Sequence, residues 1–295
     1  MKTLFIFISV LVLVSCKPQK QEQITNVKNK TKISVLADPS FVTVTDELAQ
    51  VYESMNDTID IQIDTIPEET IIQNLMQDKA TLGVVSRAMD TLEVQKLLEK
   101  NKKCKAYPIA TDAVCFISKA GSKDSLFSQV QLENLLTSNP NAYKIVFNAN
   151  YSASVNYLSQ KLNGKLNQKS SFATQSDAEL IEYISKNENS VGVLGSNYFS
   201  NLSQEQIQKL SGSIQIIGIK VGSQKFYPFQ ADIAAHKYPY VRTVYVLNNE
   251  HFYGPYSGFK NFIIGTKGQR LILKSGLMPV LMPTRLLNFV KPREK

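Results

Sequence analysis

Lys144-Ile145-Val146-Phe147-Asn148-Ala149-Asn150-Tyr151-Ser152-Ala153-Ser154-Val155 reads as a short strand, a polar loop and the opening of a helix. Leu158 and Leu162 continue Val155 at helical spacing, so one stripe of that helix can lie on a sheet while its first turn faces the loop. A helix that starts after a strand leaves backbone N–H groups unpaired at its positive end. Ser152, Ala153 and Ser154 are small enough to let an oxyanion reach those groups. The same residues also serve as an ordinary helix cap, so the loop acquires meaning only from the rest of the chain.

Upstream, the pattern alternates in the same way. A strand is expected at 32–37, a turn at 38–41, and a helix carrying Leu48, Val51, Tyr52 and Met55 on one face, with Thr45 as its N-cap and Asp46 and Glu47 in its first turn. Residues 59–63 alternate as a strand, 68–78 read as a helix, and 82–86 as a strand ending at Arg87. This βαβαβ order predicts a parallel sheet with helices on its faces. Ligands of such sheets lie beyond the carboxyl ends of the strands, which places 38–41 and 86–87 on one edge.

Downstream come a helix at 91–100 and a long extended segment at 106–119. A second alternating run follows, with helices at 131–137 and after the quoted loop. Ser176 with Glu179 and Ser203 with Gln206 have capping-box spacing, and strands are expected at 190–195 and 214–221. Residues 222–240 read as a return connection, followed by a strand at 242–247 and helices at 256–264 and 266–274, ended by Gly276 and Pro279.

Lys2, an apolar run at 4–14 and Leu13-Val14-Ser15-Cys16 form a charged start, a hydrophobic stretch too short to span a bilayer, and a small residue before cysteine. The ending resembles the bacterial lipobox, which implies a cleaved signal over 1–15, lipid on Cys16 and a location in the cell envelope, facing the periplasm. Residues 16–31 are polar and read as a flexible tether. The formal charge of +8 is scattered without an aromatic ladder, so nucleic acid is not an expected partner. Cys104 and Cys115 form an even pair, readable as a disulfide or as two buried thiols. His236 and His251 are the only histidines, and no zinc-ligand spacing, nucleophile elbow, P-loop or dinucleotide fingerprint occurs; neither enzyme chemistry, a metal nor a cofactor is expected.

The tail supplies a resemblance. Tyr238-Pro239-Tyr240-Val241-Arg242-Thr243-Val244-Tyr245-Val246, Phe259-Lys260-Asn261-Phe262-Ile263, Gly268-Gln269 and Gly276-Leu277-Met278-Pro279 resemble the C-terminal part of phosphate-binding proteins of the PstS type, the solute receptors of phosphate ABC importers. Leu82 to Arg87, Asp112-Ala113-Val114 and Val191-Gly192-Val193-Leu194 match in the same order. The resemblance implies a type II periplasmic binding-protein fold, with two α/β lobes joined by a two-crossing hinge and a ligand cleft between them. Lobe one then comprises 32–110 and 241–295, lobe two 111–222, and the return crossing 223–240. Ser40 and Phe41 would supply a hydroxyl and backbone N–H groups, with Ser86 beside them, and Ser152, Ala153 and Ser154 fall on the family's Ser-Gly-Thr.

Where the family places an arginine four residues before that motif, this chain has Asn148. Each charge-assisted bond of a lost guanidinium is worth about 1.5–3 kcal/mol. Arg87 can be read either as the replacement charge or as part of a salt bridge. Asp38, Asp90 and Asp112 are alternative acceptors for a phosphate proton, each with an alternative role in a turn or cap. The expected function is capture of phosphate or a similar oxyanion for an ABC permease. The alternative is an accessory or docking subunit of another envelope complex, with an eroded anion site.

Overall fold

The computed structural model describes residues 30–138, 143–148 and 153–282. The expected export signal, Cys16, the expected tether up to residue 29 and Ser152 lie outside the described residues.

The chain alternates strand and helix as β1 (Thr31–Ala37), α1 (Val42–Met55), β2 (Ile59–Thr65), α2 (Glu68–Met76), β3 (Leu82–Val85) and α3 (Thr91–Glu99), and then enters the 15-residue β4 (Lys105–Lys119). Beyond it lie β5 (Leu126–Ser128), α4 (Gln129–Thr137), β6 (Lys144–Asn148), α5 (Ala153–Lys161), β7 (Ser171–Thr174), α6 (Asp177–Lys186) and β8 (Ser190–Gly195). Next come α7 (Gln204–Ser211), β9 (Ile214–Ile216), β10 (Gly218–Val221), β11 (Gln224–Phe226) and α8 (Gln230–Ala234). The chain returns through β12 (Val241–Asn248), α9 (Pro255–Ile264), α10 (Thr266–Lys274) and β13 (Met278–Pro279).

One strand serves both halves. The first part of β4 pairs antiparallel with β12, beside the order β2-β1-β3, and its second part pairs antiparallel with β8, beside β6-β7. β1 is parallel to β2 and β3, and β6 is parallel to β7 and β8. The carboxyl ends of β1, β3, β6 and β8 therefore point into one cleft, as expected for an α/β sheet. Separate cores lie to either side. One joins Ile33, Val35, Leu48 and Val84 to Phe259 and Ile263 of α9; the other joins Phe116, Leu136, Ile145, Leu158 and Tyr240. The tail thus packs on the first half. Gln269 secures it by donating to the carbonyls of Ile109 (3.0 Å) and Ile263 (3.1 Å) and accepting from the Leu281 N–H.

Several expectations change. Helix α1 starts at Val42, and Thr45 lies inside it with its hydroxyl donating to the Phe41 carbonyl, so Thr45 is not an N-cap. Residues 223–240 contain β11 and α8, and Tyr238 and Tyr240 are buried in the second core. The stretch 214–221 splits into β9, which pairs with β4, and β10, which pairs with β5 and β11. Cys104 and Cys115 are free thiols; burial pushes Cys104 up to about 12 and Cys115 well above its ordinary value.

Helix α10 meets the end of α9 at Gly268, where an added Cβ would collide with the Phe262 carbonyl and lie 2.6 Å from the Ile263 Cα. Backbone cannot yield as a flexible side chain does. Gly268→Ala should therefore lower stability by about 1–3 kcal/mol, read as a reduced urea midpoint at unchanged slope; an unshifted midpoint would disprove this packing.

Candidate functional site

The cleft floor is built where the two connecting strands touch. Arg242 on β12 donates from Nε (2.9 Å) and Nη2 (2.8 Å) to one Asp112 oxygen on β4. The other Asp112 oxygen accepts from the N–H (3.1 Å) and hydroxyl (2.8 Å) of Ser196, which follows β8. The Phe41 ring covers the guanidinium at 5.0 Å. Both charged side chains are almost fully buried, and the bonds to Ser196 complete the desolvated carboxylate. The third guanidinium nitrogen, Nη1, is buried without a partner.

Asp38 lies above this floor, fully buried at the end of β1. Its Oδ1 accepts from the N–H of Ser40 at 2.9 Å and from that of Ala153, the first residue of α5, at 3.3 Å. Its Oδ2 accepts from the N–H of Glu68, the first residue of α2, at 3.1 Å. Three N–H groups, two of them at helix N-termini and one from across the cleft, thus converge on a single carboxylate. Glu68 is buried in turn: its Oε2 accepts from the Ser86 N–H, and its Oε1 has no partner. Burial raises the pKa of both acids; the Ser40 bonds and the Arg242 charge oppose this at Asp38, and the Ser86 bonds, then the Arg242 charge, oppose it at Glu68.

Beside this cradle lies a cavity of about 240 Å³, lined by Ser40, Thr43, Asn148, Ser154, Asp177 and Asn197 among others. Asn148 donates to Asp177 at 2.5 Å, and burial raises the Asp177 carboxyl. Asn197 donates to the Ser40 carbonyl at 2.9 Å and Asn156 to Glu69 at 3.5 Å, adding two further bonds across the cleft.

Ser40, Phe41, Ser86, Asn148, Ala153 and Ser154 are brought to one region, with roles that differ in part from those expected. The Phe41 N–H donates to the Asp38 carbonyl, so it is not offered to the cleft. Arg87 is held by Glu69 (2.8 Å) and by both oxygens of Glu93 (2.8 and 2.9 Å), all within the first half, so it does not supply a charge to the cradle. Asp90 caps α3 with Glu93, and Asp112 is engaged by Arg242 and Ser196. Of the three aspartates considered for the proton, only Asp38 sits in the cradle.

Glu68, Asp177 and Arg242 were missed as site residues. Arg242 carried a readable signal: it lies in phase with Val244 and Val246 along an alternating strand, which turns it inward. Glu68 carried little, since Pro-Glu-Glu is an ordinary helix start. Among the described residues no cluster of three or more His, Cys, Asp or Glu could hold a metal ion, and no helix is long and apolar enough to cross a membrane.

Comparison with known proteins places this geometry in context. The model of the PBP superfamily domain matches residues 23–264. The phosphate-binding protein PstS of Borreliella burgdorferi is 24% identical over 94% of this chain and 97% of its own. A protein from Clostridium perfringens, assigned as a phosphate ABC transporter substrate-binding protein and solved with bound phosphate, superposes with a TM-score of 0.70 at 17% identity, covering 85% of this chain and all of the other. An ABC-type phosphate transport receptor from Vibrio cholerae gives 0.66 at 14% identity, over 84% of this chain and 100% of its own. The architecture is that of the type II periplasmic binding proteins, as the resemblance implied.

The raised carboxyls of Asp38, Glu68 and Asp177 define a pH effect. Each binds its proton more tightly folded than unfolded, so each contributes most below the ordinary carboxylate range, and that contribution is lost as pH rises through its folded value. Thermal unfolding should occur at a higher temperature just above the ordinary carboxylate range than at neutral pH, and Glu68→Gln should shrink the difference. A difference unchanged by that substitution would remove Glu68 from the account.

Proposed function

The chain belongs to the PBP superfamily, and from that premise we propose that it is a solute receptor which closes two lobes on inorganic phosphate or a similar small oxyanion and delivers it to an ABC permease. The observation that carries this reading is the convergence of the Ser40, Glu68 and Ala153 N–H groups, from both sides of the cleft, on one buried point that already holds negative charge. Such preorganised donors suit a tetrahedral oxyanion, and the similar proteins from Borreliella and Vibrio are a phosphate-binding protein and a phosphate transport receptor. The division at β4 and near residues 240–241 makes these crossings the natural hinge for closure.

Titration calorimetry with phosphate, sulfate and molybdate tests the reading. The expected result is heat with at least one oxyanion and, at about one hundred times its Kd, a stabilisation of about 2.7 kcal/mol. Absence of heat and of stabilisation for all three would overturn it. That outcome is what the second reading expects, a docking or accessory subunit of another envelope complex. The specific observation favouring that reading is that Asp38 already occupies the N–H groups.

Lipid on Cys16, after loss of residues 1–15, would hold the receptor at the periplasmic face of a membrane, with the polar residues up to 31 as tether. Cys16→Ser should move the protein from the membrane fraction to the soluble fraction of its own host. Full retention on the membrane would refute the anchor.

A further inference from the structure

A carboxylate and an oxyanion ask the same thing of a cradle, namely N–H donors and positive potential in a dry place. In this cleft a side chain of the protein meets that demand. Asp38 collects an N–H from the turn after β1, one from the start of α2 and one from the start of α5 across the cleft, at 2.9, 3.1 and 3.3 Å. We infer that the Asp38 carboxylate is a built-in anion in the ligand's place, so that an oxyanion enters this site only by exchange with it. The inference rests on the oxyanion reading above and adds a specificity-determining residue to it.

Two observations independent of the helix ends support the exchange. Among the described residues Arg242 Nη1, a donor on a fully buried side chain, has no partner, and neither does Glu68 Oε1, an acceptor. Both belong to the groups around Asp38: Glu68 gives its N–H to Asp38, and Arg242 lies under Phe41, whose N–H donates to the Asp38 carbonyl. Two carboxylate oxygens already serve three N–H groups. A tetrahedral oxyanion brings four oxygens, enough to take those N–H groups and Nη1 together, while a proton it carries can meet Glu68 Oε1. A buried polar group left without its bond keeps the full cost of its desolvation, so the empty partners favour the exchanged state.

Charge dictates how the exchange proceeds. The charged groups facing Asp38 are Glu68 on α2 and Arg242 on β12, while α5 and the turn at 39–41 contribute backbone N–H groups. Arg242 is already engaged by Asp112, so a dianion and an ionised Asp38 would share one partly committed cation. Asp38 must therefore swing out or take a proton as the oxyanion arrives. Until then the Ala153 bond to Asp38 helps hold the cleft together with no ligand bound.

The test compares wild type with Asp38→Asn by calorimetry, using inorganic phosphate and sulfate at several pH values. Sulfate carries no proton that titrates near neutrality, so any pH slope in its binding belongs to the protein. The expected result is affinity for both anions at least about tenfold tighter in the variant near neutral pH. Wild-type sulfate affinity should rise on acidification, and the variant should lose most of that slope. Binding to wild type that is equal to or tighter than to the variant overturns the exchange and leaves the oxyanion reading standing. Binding to the variant alone shows the wild-type site to be self-occupied by Asp38, and it overturns both the exchange and the receptor reading, because the wild-type carboxylate then never gives way to an anion. No binding to either protein overturns both. Should Asp38→Asn fail to fold, the wild-type sulfate series decides, because an affinity independent of pH contradicts displacement of a titrating carboxylate.

Discussion

A buried ion pair, Arg242 with Asp112, fixes where the two halves of this chain meet. Its partners come from the two strands that connect the halves, and its remaining contacts reach one element on each side: Ser196 after β8 and Phe41 before α1. Taking two charges out of water costs several kcal/mol per ion, which their attraction offsets only when the other lone pairs and protons are also satisfied. Ser196 does this for Asp112 with two donors, whereas Arg242 keeps one nitrogen free. Geometry at the junction is therefore well determined, and its one imbalance is a spare donor on Arg242.

The other buried acids follow from that imbalance. With Asp112 matched to Arg242, Asp38 and Glu68 have no cation of their own among their hydrogen-bond partners. Asp38 depends on the Ser40 N–H and on those at the starts of α2 and α5, each helix end carrying about half a unit of positive charge, and Glu68 depends on the N–H of Ser86. Burial raises both carboxyls, and Glu68 Oε1 is left without a partner among the described residues. The cleft is thus balanced as it stands, and adding an anion means removing one.

Much of the fold was legible because its signals are local and repeated. Alternation at 59–63, helical stripes such as Leu48 with Tyr52, and the Ser203 capping box report strand, helix and start within a few residues each. The tail's position was not periodic information; it depends on Gly268 and Gln269 meeting Ile263 and Ile109, contacts far apart in the chain or between helix ends. For the candidate residues, the position on strand ends was legible but the hydrogen-bond partners were not. Ser40, Ser86 and Ala153 lie where strand ends predict, yet the N–H groups of Ser40 and Ala153 end on Asp38 and that of Ser86 on Glu68, which spacing alone does not reveal. Arg87 illustrates the limit most clearly, because a free cation and one forked between Glu69 and Glu93 look alike in sequence.

Asn148 then gains a physical meaning beyond a missing arginine. Its amide donates to Asp177 at the first residue of α6 and makes that wall of the cavity a hydrogen-bonded surface without a cation of its own. A guanidinium at 148 would add a cation close to the start of α5, where an internal carboxylate already sits, and would favour an ionised Asp38 and a tightly closed cleft. With an amide there, the guanidinium at the floor among the described residues is that of Arg242, which comes from β12 and is already committed to Asp112. The loss at 148 and the presence of Asp38 are thus two parts of one arrangement, in which the attraction for an anion comes from backbone N–H groups and one spare Arg242 nitrogen rather than from a dedicated fork.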